Sequence, residues 1–271
     1  MSVIEVLNKE QGRRSDIKVV ILDFDGTIST LRQGWEEIME PFMVEMISGQ
    51  KIQATTELIN EVRNYITEST GIQTVFQMEW LAKKVKEYDL NLEVLDRWGY
   101  KAEYNRRLLA MVNQRLKSLE TGERDPRDFL IKGSHKFLKE LKSKGFELIV
   151  ASGTDHPDLL HEAEVLGVKK YFNMIMGAPV DRADDSKEAV IRRLLEDRQL
   201  NASQILIIGD GKVEISLGKE KGAITLGMAT NETKREGIDS CKRKRLLNAG
   251  ANAITGDFKN IDQLWDWLGI K

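Results

Sequence analysis

The stretch KVVILDFDGT, residues 18–27, decides the fold. Val19, Val20, Ile21 and Leu22 are apolar at successive positions, so both faces of the strand they form must be covered. Such a strand belongs inside a sheet with helices above and below. The run breaks off into Asp23, Phe24, Asp25 and Gly26, which puts two carboxylates on the sheet's rim with backbone amides free just beyond them. That arrangement suits Mg²⁺ and a phosphoryl group.

Working outward, the rest of the chain supplies the partners of this strand. From residue 133 onward, helix and strand alternate. A helix over 134–144 ends at Gly145 and leads into a buried strand, 146–152. A helix over 156–166, a short strand near 172–176 and a helix over 186–197 follow. Strand 205–209, a short helix near 213–220, strand 223–229, strand 253–255 and a closing helix, 260–268, complete the series. The alternation predicts an α/β fold of Rossmann-like, doubly wound type, with a parallel sheet and right-handed crossovers.

Residues 32–126 break that rhythm. Four amphipathic helical patterns recur there, WEEIMEPFMVEMI, ATTELINEVRNYITEST, VFQMEWLAKKVKEY and AEYNRRLLAMVNQRLKSLE, with Pro41 expected to kink or interrupt the first. The turn-rich stretch TGERDP at 121–126 marks the return to the sheet. A helical module inserted after the first strand is therefore expected. It would hang over the carboxyl edge of the sheet, where open parallel sheets bind ligands.

Bulk composition narrows the function classes. With 41% hydrophobic and 31% charged residues over 271 positions, the chain has the make-up of a soluble protein with a sizeable core. Its net charge of −2 comes from well-mixed signs, so neither nucleic acid nor a membrane surface is an expected partner. The run Lys242-Arg243-Lys244-Arg245 sits beside Leu246 and Leu247 at helical spacing and reads as a solvated helix face. Cys241 is the single cysteine, so no internal disulfide exists. Residues 1–15 read as a loose or helical lead-in without the apolar core of a signal peptide, and a cytoplasmic location is the expectation.

Four strand-end sites carry the candidate chemistry. A carboxylate beside Mg²⁺ can attack phosphorus, and a second can protonate the leaving oxygen and later deprotonate water. Asp23 and Asp25 fit these tasks, or else simply cap a strand end. Gly26 and Thr27 add a flexible backbone and a hydroxyl beside them. Ser152 and Gly153 end the second strong strand, where a hydroxyl and an amide can hold phosphoryl oxygens; with Thr154 and Asp155 they read equally as a helix N-cap. Lys187 follows the acidic loop DRADDS and opens a helix, a position where the helix dipole disfavours a cation, so a task at the site is the reason to place it there. Asp210, between two glycines after ILIIG, supplies one more hard oxygen for Mg²⁺. Glu214 could hold a metal-bound water or orient Lys187. His156 reads as a surface residue, and His135 and His161 are assigned nothing.

In these motifs the chain resembles the haloacid dehalogenase-like hydrolase superfamily, in its phosphatase branch. The likeness covers residues 18–30 and 130–268, with the insertion where that superfamily places its first type of cap. It implies a core of residues 1–31 and 127–271 with a helical cap over 32–126. It further implies Asp23 as nucleophile, Asp25 as general acid and base, and Ser152, Lys187 and Asp210 as the later motifs. Glu214 stands where family members often carry an aspartate, and the expected metal set is Asp23, Asp25, Asp210 and Glu214. Asp25 argues against carbon–halogen chemistry, since actual dehalogenases lack it.

The expected function is a Mg²⁺-dependent phosphatase acting on a small phosphorylated metabolite through an aspartyl-phosphate. Thr27, Arg32, Ser152 and Gly153 would touch the substrate, with Arg32 pairing with an anionic group. The stretch RWGYKAEYN, 97–105, forms either a loop facing the site or a packed helix junction. Alternatives are a phosphomutase with the same tetrad, a phosphonatase using Lys51, Lys83, Lys84, Lys86 or Lys101, and a non-catalytic sugar-phosphate binder. The sequence does not reveal the oligomeric state.

Overall fold

The computed structural model describes residues 4–7, 16–49, 53–183, 187–197 and 201–270. The apolar run forms β2 (Val19–Leu22), with every residue buried. On one side it pairs in parallel with β3 (Glu147–Asp155), and on the other with β5 (Ile205–Gly209), so that Ile21 lies level with Ile149 and Ile207. The sheet is seven-stranded, in the order β1-β7-β6-β5-β2-β3-β4. Its other strands are β1 (Glu5–Val6), β4 (Met174–Ala178), β6 (Ile224–Met228) and β7 (Ala253–Thr255).

All pairings are parallel except β1 against β7 at one edge. The sheet is thus the expected Rossmann-like one with one correction. Residues 5–6 of the supposed lead-in form an antiparallel edge strand, a two-residue element too short to carry a periodicity. The remainder of the lead-in, 1–3 and 8–15, lies outside the described residues.

Five helices cross over between these strands: α5 (Ser134–Ser143), α6 (His156–Val165), α7 (Lys187–Asp197), α8 (Lys212–Lys221) and α9 (Ser240–Ala249). Helix α10 (Ile261–Leu268) closes the chain. Val190 and Ile191 of α7 and Leu217 of α8 pack with Val19, Ile21, Ile149, Ile205 and Ile207. The alternate residues Val20, Leu22, Leu148, Val150, Leu206 and Ile208 are wholly buried as well, so both faces are covered.

By contacts the chain divides into two compact units, Met1–Gln33 with Leu116–Lys271, and Gly34–Arg115. The second holds α1 (Trp35–Ser48), α2 (Thr56–Glu68), α3 (Thr74–Tyr88) and most of α4 (Arg97–Glu120). Its core sets Phe42 against Tyr100 and Tyr104, with Met39, Met43, Val62, Met78 and Leu81 also buried. The expected limits, 32–126, are wider than this unit. Because α4 runs unbroken from one unit into the other, no breaker residue marks the boundary. TGERDP ends the helix, not the unit.

One further expectation changes, and one pair of alternatives is decided. Helix α1 continues through Pro41, which is exposed; the carbonyl of Glu37 that its ring cannot serve belongs to an exposed residue and can be solvated. Residues 97–105 are the first turns of α4 rather than a loop. Among the described residues, no helix is long and apolar enough to cross a membrane.

Candidate active site

Where β2 ends, the chain turns sharply. The carbonyl of Phe24 accepts from the amides of Thr27, Ile28 and Ser29, and Gly26 takes a φ of 68°, a region open to glycine at little cost. A Cβ there would stand 2.4 Å from Oδ2 of Asp210, so the turn and the end of β5 approach each other as only glycine allows.

Asp23 is buried at this edge. Its Oδ1 accepts from the Phe24 amide at 2.8 Å, and its Oδ2 lies 2.8 Å from Nζ of Lys187, at the start of α7. Burial pushes the Asp23 carboxyl up, Lys187 opposes this, and the neighbouring Glu214 and Asp210 reinforce it. Lys187 is itself buried. Burial works against its charge, yet Asp23 and Glu214 outweigh that and hold the ammonium firmly protonated. Of the loop leading to it, residues 184–186 lie outside the described residues.

Glu214, in the first turn of α8, places Oε2 3.1 Å from the same ammonium while Oε1 accepts from the Gly211 amide at 2.8 Å. One carboxylate thus caps a helix and pairs with Lys187. Asp23, Asp210 and Glu214 can each bring an oxygen within 4.8 Å of the others. Three hard oxygens so placed fit a divalent cation such as Mg²⁺. Asp25, expected among the metal ligands, is not in that cluster.

Asp25 instead turns toward β3. Its Oδ2 accepts from Oγ1 of Thr154 at 2.7 Å, and its Oδ1 is buried without a hydrogen-bond partner. The β3–β4 register shifts between Ala151 and Asp155, which re-aims Ser152, Gly153 and Thr154 at the strand end. Ser152 is buried and accepts from the Thr154 amide at 3.1 Å, keeping its own proton available to a ligand. Burial pushes the Asp25 carboxyl up, against Arg32 and Thr154, with Asp210 adding to the rise.

Thr27 and Arg32, expected to touch the substrate, have the following surroundings. Thr27 is fully buried, and its hydroxyl has no hydrogen-bond partner among the described residues. The Arg32 guanidinium is held by carboxylates of α6, with Nη2 2.6 Å from Glu162 Oε1 and 3.4 Å from Asp158 Oδ2. Its charge is therefore directed to two acids on its own side of the site. Buried Glu162 has its carboxyl pushed up to about 7; burial is the main cause, Arg32 opposes it and Asp25 contributes.

The basic run is the largest revision. Lys242 Nζ lies 2.7 Å from Asp210 Oδ2 and 2.5 Å from Glu232 Oε1. Arg243 pairs with Glu5 of β1, and Arg245 donates to the Asp210 carbonyl at 3.0 Å. Burial pushes the Asp210 carboxyl up, but Lys242, Arg245 and Lys187 together bring it below the ordinary range. A run of four basic residues offers no sign of acids arriving from distant loops. Glu232, ten residues before Lys242, was the available hint.

The histidines have structural partners. His156 Nδ1 accepts from the Gly177 amide, His135 meets the Tyr171 hydroxyl, and His161 lies 3.2 Å from Glu120. Of the lysines raised for a Schiff base, Lys51 lies outside the described residues, Lys84 pairs with Glu61 and Glu87, and Lys101 is buried.

Comparison with known proteins places the chain in a family. A phosphoglycolate phosphatase of Vibrio parahaemolyticus is 25% identical over 103 residues, 38% of this chain and 45% of that protein. A phosphoserine phosphatase of Campylobacter jejuni is 25% identical over 135 residues, 46% of this chain and 63% of that one. The matches therefore span less than two thirds of those curated relatives. The fold is shared with the solved structure of a predicted phosphoglycolate phosphatase from Haemophilus somnus, at a TM-score of 0.60 and 16% identity, over 92% of this chain and 98% of that one. Residues 17–222, most of the chain, match the family model for haloacid dehalogenase-like hydrolases. With Asp23, Lys187 and Asp210 all inside that span and drawn together at one strand edge, the chain belongs to the haloacid dehalogenase-like hydrolase family.

Proposed function

We propose that this protein is a Mg²⁺-dependent phosphatase that hydrolyses a small phosphorylated metabolite, such as a sugar phosphate or a phosphoglycolate-like acid, in the cytoplasm. The observation that carries the reading is the contact of Lys187 with both Asp23, at 2.8 Å, and Glu214, at 3.1 Å, beside Asp210. A buried ammonium there opposes the upward pull of burial on the Asp23 carboxyl and attracts a phosphoryl group to it.

In the first step a carboxylate oxygen of Asp23 attacks phosphorus. The bond to the leaving oxygen breaks, and Asp25 gives that oxygen its proton. In the second, Asp25 takes a proton from water as the water attacks phosphorus, which releases phosphate and restores Asp23. The raised affinity of buried Asp25 for a proton suits it to the first step, and the Thr154 hydroxyl orients it for both. Ser152, the Gly153 amide and Lys187 hold the phosphoryl oxygens. Asp23, Asp210 and Glu214 would hold Mg²⁺, which when bound neutralises charge on the transferring group. Arg32 acts on Asp25 through the field of its guanidinium. The helical unit is the substrate-selecting insertion.

Phosphate release from an aryl phosphate with Mg²⁺ tests the reading. Asp23→Asn should lose at least about a thousandfold in kcat. Unchanged hydrolysis would remove the reaction from this site. A panel of phosphorylated metabolites scored for phosphate release then identifies the substrate, and retention of the phosphoryl group on a sugar would show a mutase instead.

A further inference from the structure

Lys242 reaches the carboxylate that the proposed metal site needs most. Its ammonium lies 2.7 Å from Asp210 Oδ2, and a Cβ on Gly26 would stand 3.0 Å from that nitrogen. The ammonium therefore occupies the niche between the turn after Asp25 and the end of β5. Its side chain is only 14% exposed, so the charge is not a solvated one swinging past. Glu232 Oε1, 2.5 Å away, offers it a second seat. A buried cation bonded to a carboxylate oxygen takes up lone-pair density and field that a metal would otherwise use.

We propose that Lys242 and the divalent cation compete for Asp210, so that Lys242, with Glu232 as its alternative seat, sets the metal affinity of the site. This rests on the reading that Asp23, Asp210 and Glu214 hold the metal. The two carboxylates on Lys242 have opposite effects in this scheme. Removing the ammonium frees Asp210 Oδ2 of its contact cation, leaving only Arg245 at 3.9 Å among the described residues. Removing the charge of Glu232 leaves Lys242 nowhere else to go and tightens its hold on Asp210.

Mn²⁺ binding to the full-length protein, followed by the loss of the free-ion signal in electron paramagnetic resonance, reads the competition without turnover. Lys242→Met should bind Mn²⁺ about tenfold more tightly than the unaltered protein, and Glu232→Gln several-fold more weakly. Lys242→Arg, which keeps a cation in place, should stay near the starting value. A purely structural role for the pair would weaken binding in both variants, and that shared direction, or an unchanged affinity in Lys242→Met, overturns the proposal while leaving the metal site standing. If the unaltered protein fails to bind Mn²⁺ and Asp210→Asn makes no difference, the metal reading falls and this inference with it. Circular dichroism of each variant separates a lost fold from a changed affinity. Should Lys242→Met fail to fold, Glu232→Gln, expected to weaken binding, and Glu232→Asp, which keeps the second seat and should match the unaltered protein, decide the matter, and equal weakening in both overturns the proposal.

Discussion

Asp23 and Asp25 leave the same strand end, and their surroundings differ in kind. On the β5 flank, Asp23 meets a buried ammonium at contact distance, with Glu214 and Asp210 beside it and a second ammonium, Lys242, behind Asp210. On the β3 flank, Asp25 meets a neutral hydroxyl, Thr154, and feels Arg32 without any hydrogen bond to it among those described. Burial pushes both carboxyls up, but at Asp23 the opposing cation is in contact, whereas at Asp25 it acts from a distance beside a neutral hydroxyl. Placement of charge, rather than the type of acid, separates the two roles proposed for otherwise identical side chains.

That contrast breaks most visibly at Lys187. Lys187→Met leaves Asp23 and Glu214 buried with no cation in contact. Stranding one side of a buried ion pair costs about 3–5 kcal/mol, so urea unfolding at neutral pH should show a loss of that order. Acidification should return part of it, since protonated carboxyls need no counter-charge. Phosphate release should vanish alongside. A variant as stable as the parent at pH 7 would mean that the β5 flank is not organised around this ammonium.

A smaller effect belongs to the β3 flank, at Glu162. Its carboxyl is pushed up to about 7 in the fold from an ordinary value of 4.5. The native state therefore binds more protons than the unfolded chain between those limits, and this contribution to stability falls as pH rises from about 4.5 to 7, then levels off. At up to about 1.4 kcal/mol per pH unit, the change should total on the order of 3 kcal/mol. Glu162→Gln removes it, so urea midpoints measured from pH 5 to pH 8 should vary less in the variant. Parallel curves would show Glu162 ionised throughout, and the β3 flank as firmly ionic as the other.

Much of this contrast was legible in the amino-acid sequence on one flank only. Buried strands such as Val19–Leu22 and Ile205–Gly209 announce themselves because both faces must be apolar, and the acids and glycines just after them mark the sheet edge. Lys187 stood out because a cation opening a helix is locally unfavourable. Thr154, in contrast, satisfies the local demand for a helix cap, and nothing nearby says that its hydroxyl is spent on a residue 129 positions away. Arg32 read as open to substrate because its partners, Asp158 and Glu162, lie on a helix far along the chain. Lys242 and Arg245 were read as solvated because periodicity sees their own helix and not the acids facing it. Local patterns report the element a residue belongs to. Ion pairs formed across the sheet leave no such pattern.

The smallest predicted effect is also the most discriminating. Thr154→Val keeps the side chain's shape and removes one hydrogen bond to Asp25, for which a stability loss of about 1 kcal/mol is ordinary. Catalysis should respond differently from stability. Asp25 must point its proton at the leaving oxygen, and without Thr154 its Oδ2 loses the donor that fixes the carboxyl plane, so kcat for an aryl phosphate should fall about tenfold. Because the hydroxyl also favours the charged form of Asp25, its loss should raise the pH at which the carboxyl gives up its proton, and the kcat–pH profile should move to higher pH. Thr154→Ser, which restores the donor without the methyl, should recover both the rate and the profile. Recovery of the rate without the profile would mean that Thr154 only packs the end of β3. An unshifted profile in Thr154→Val would put the proton on some other group, and the difference between the flanks would then be one of packing alone.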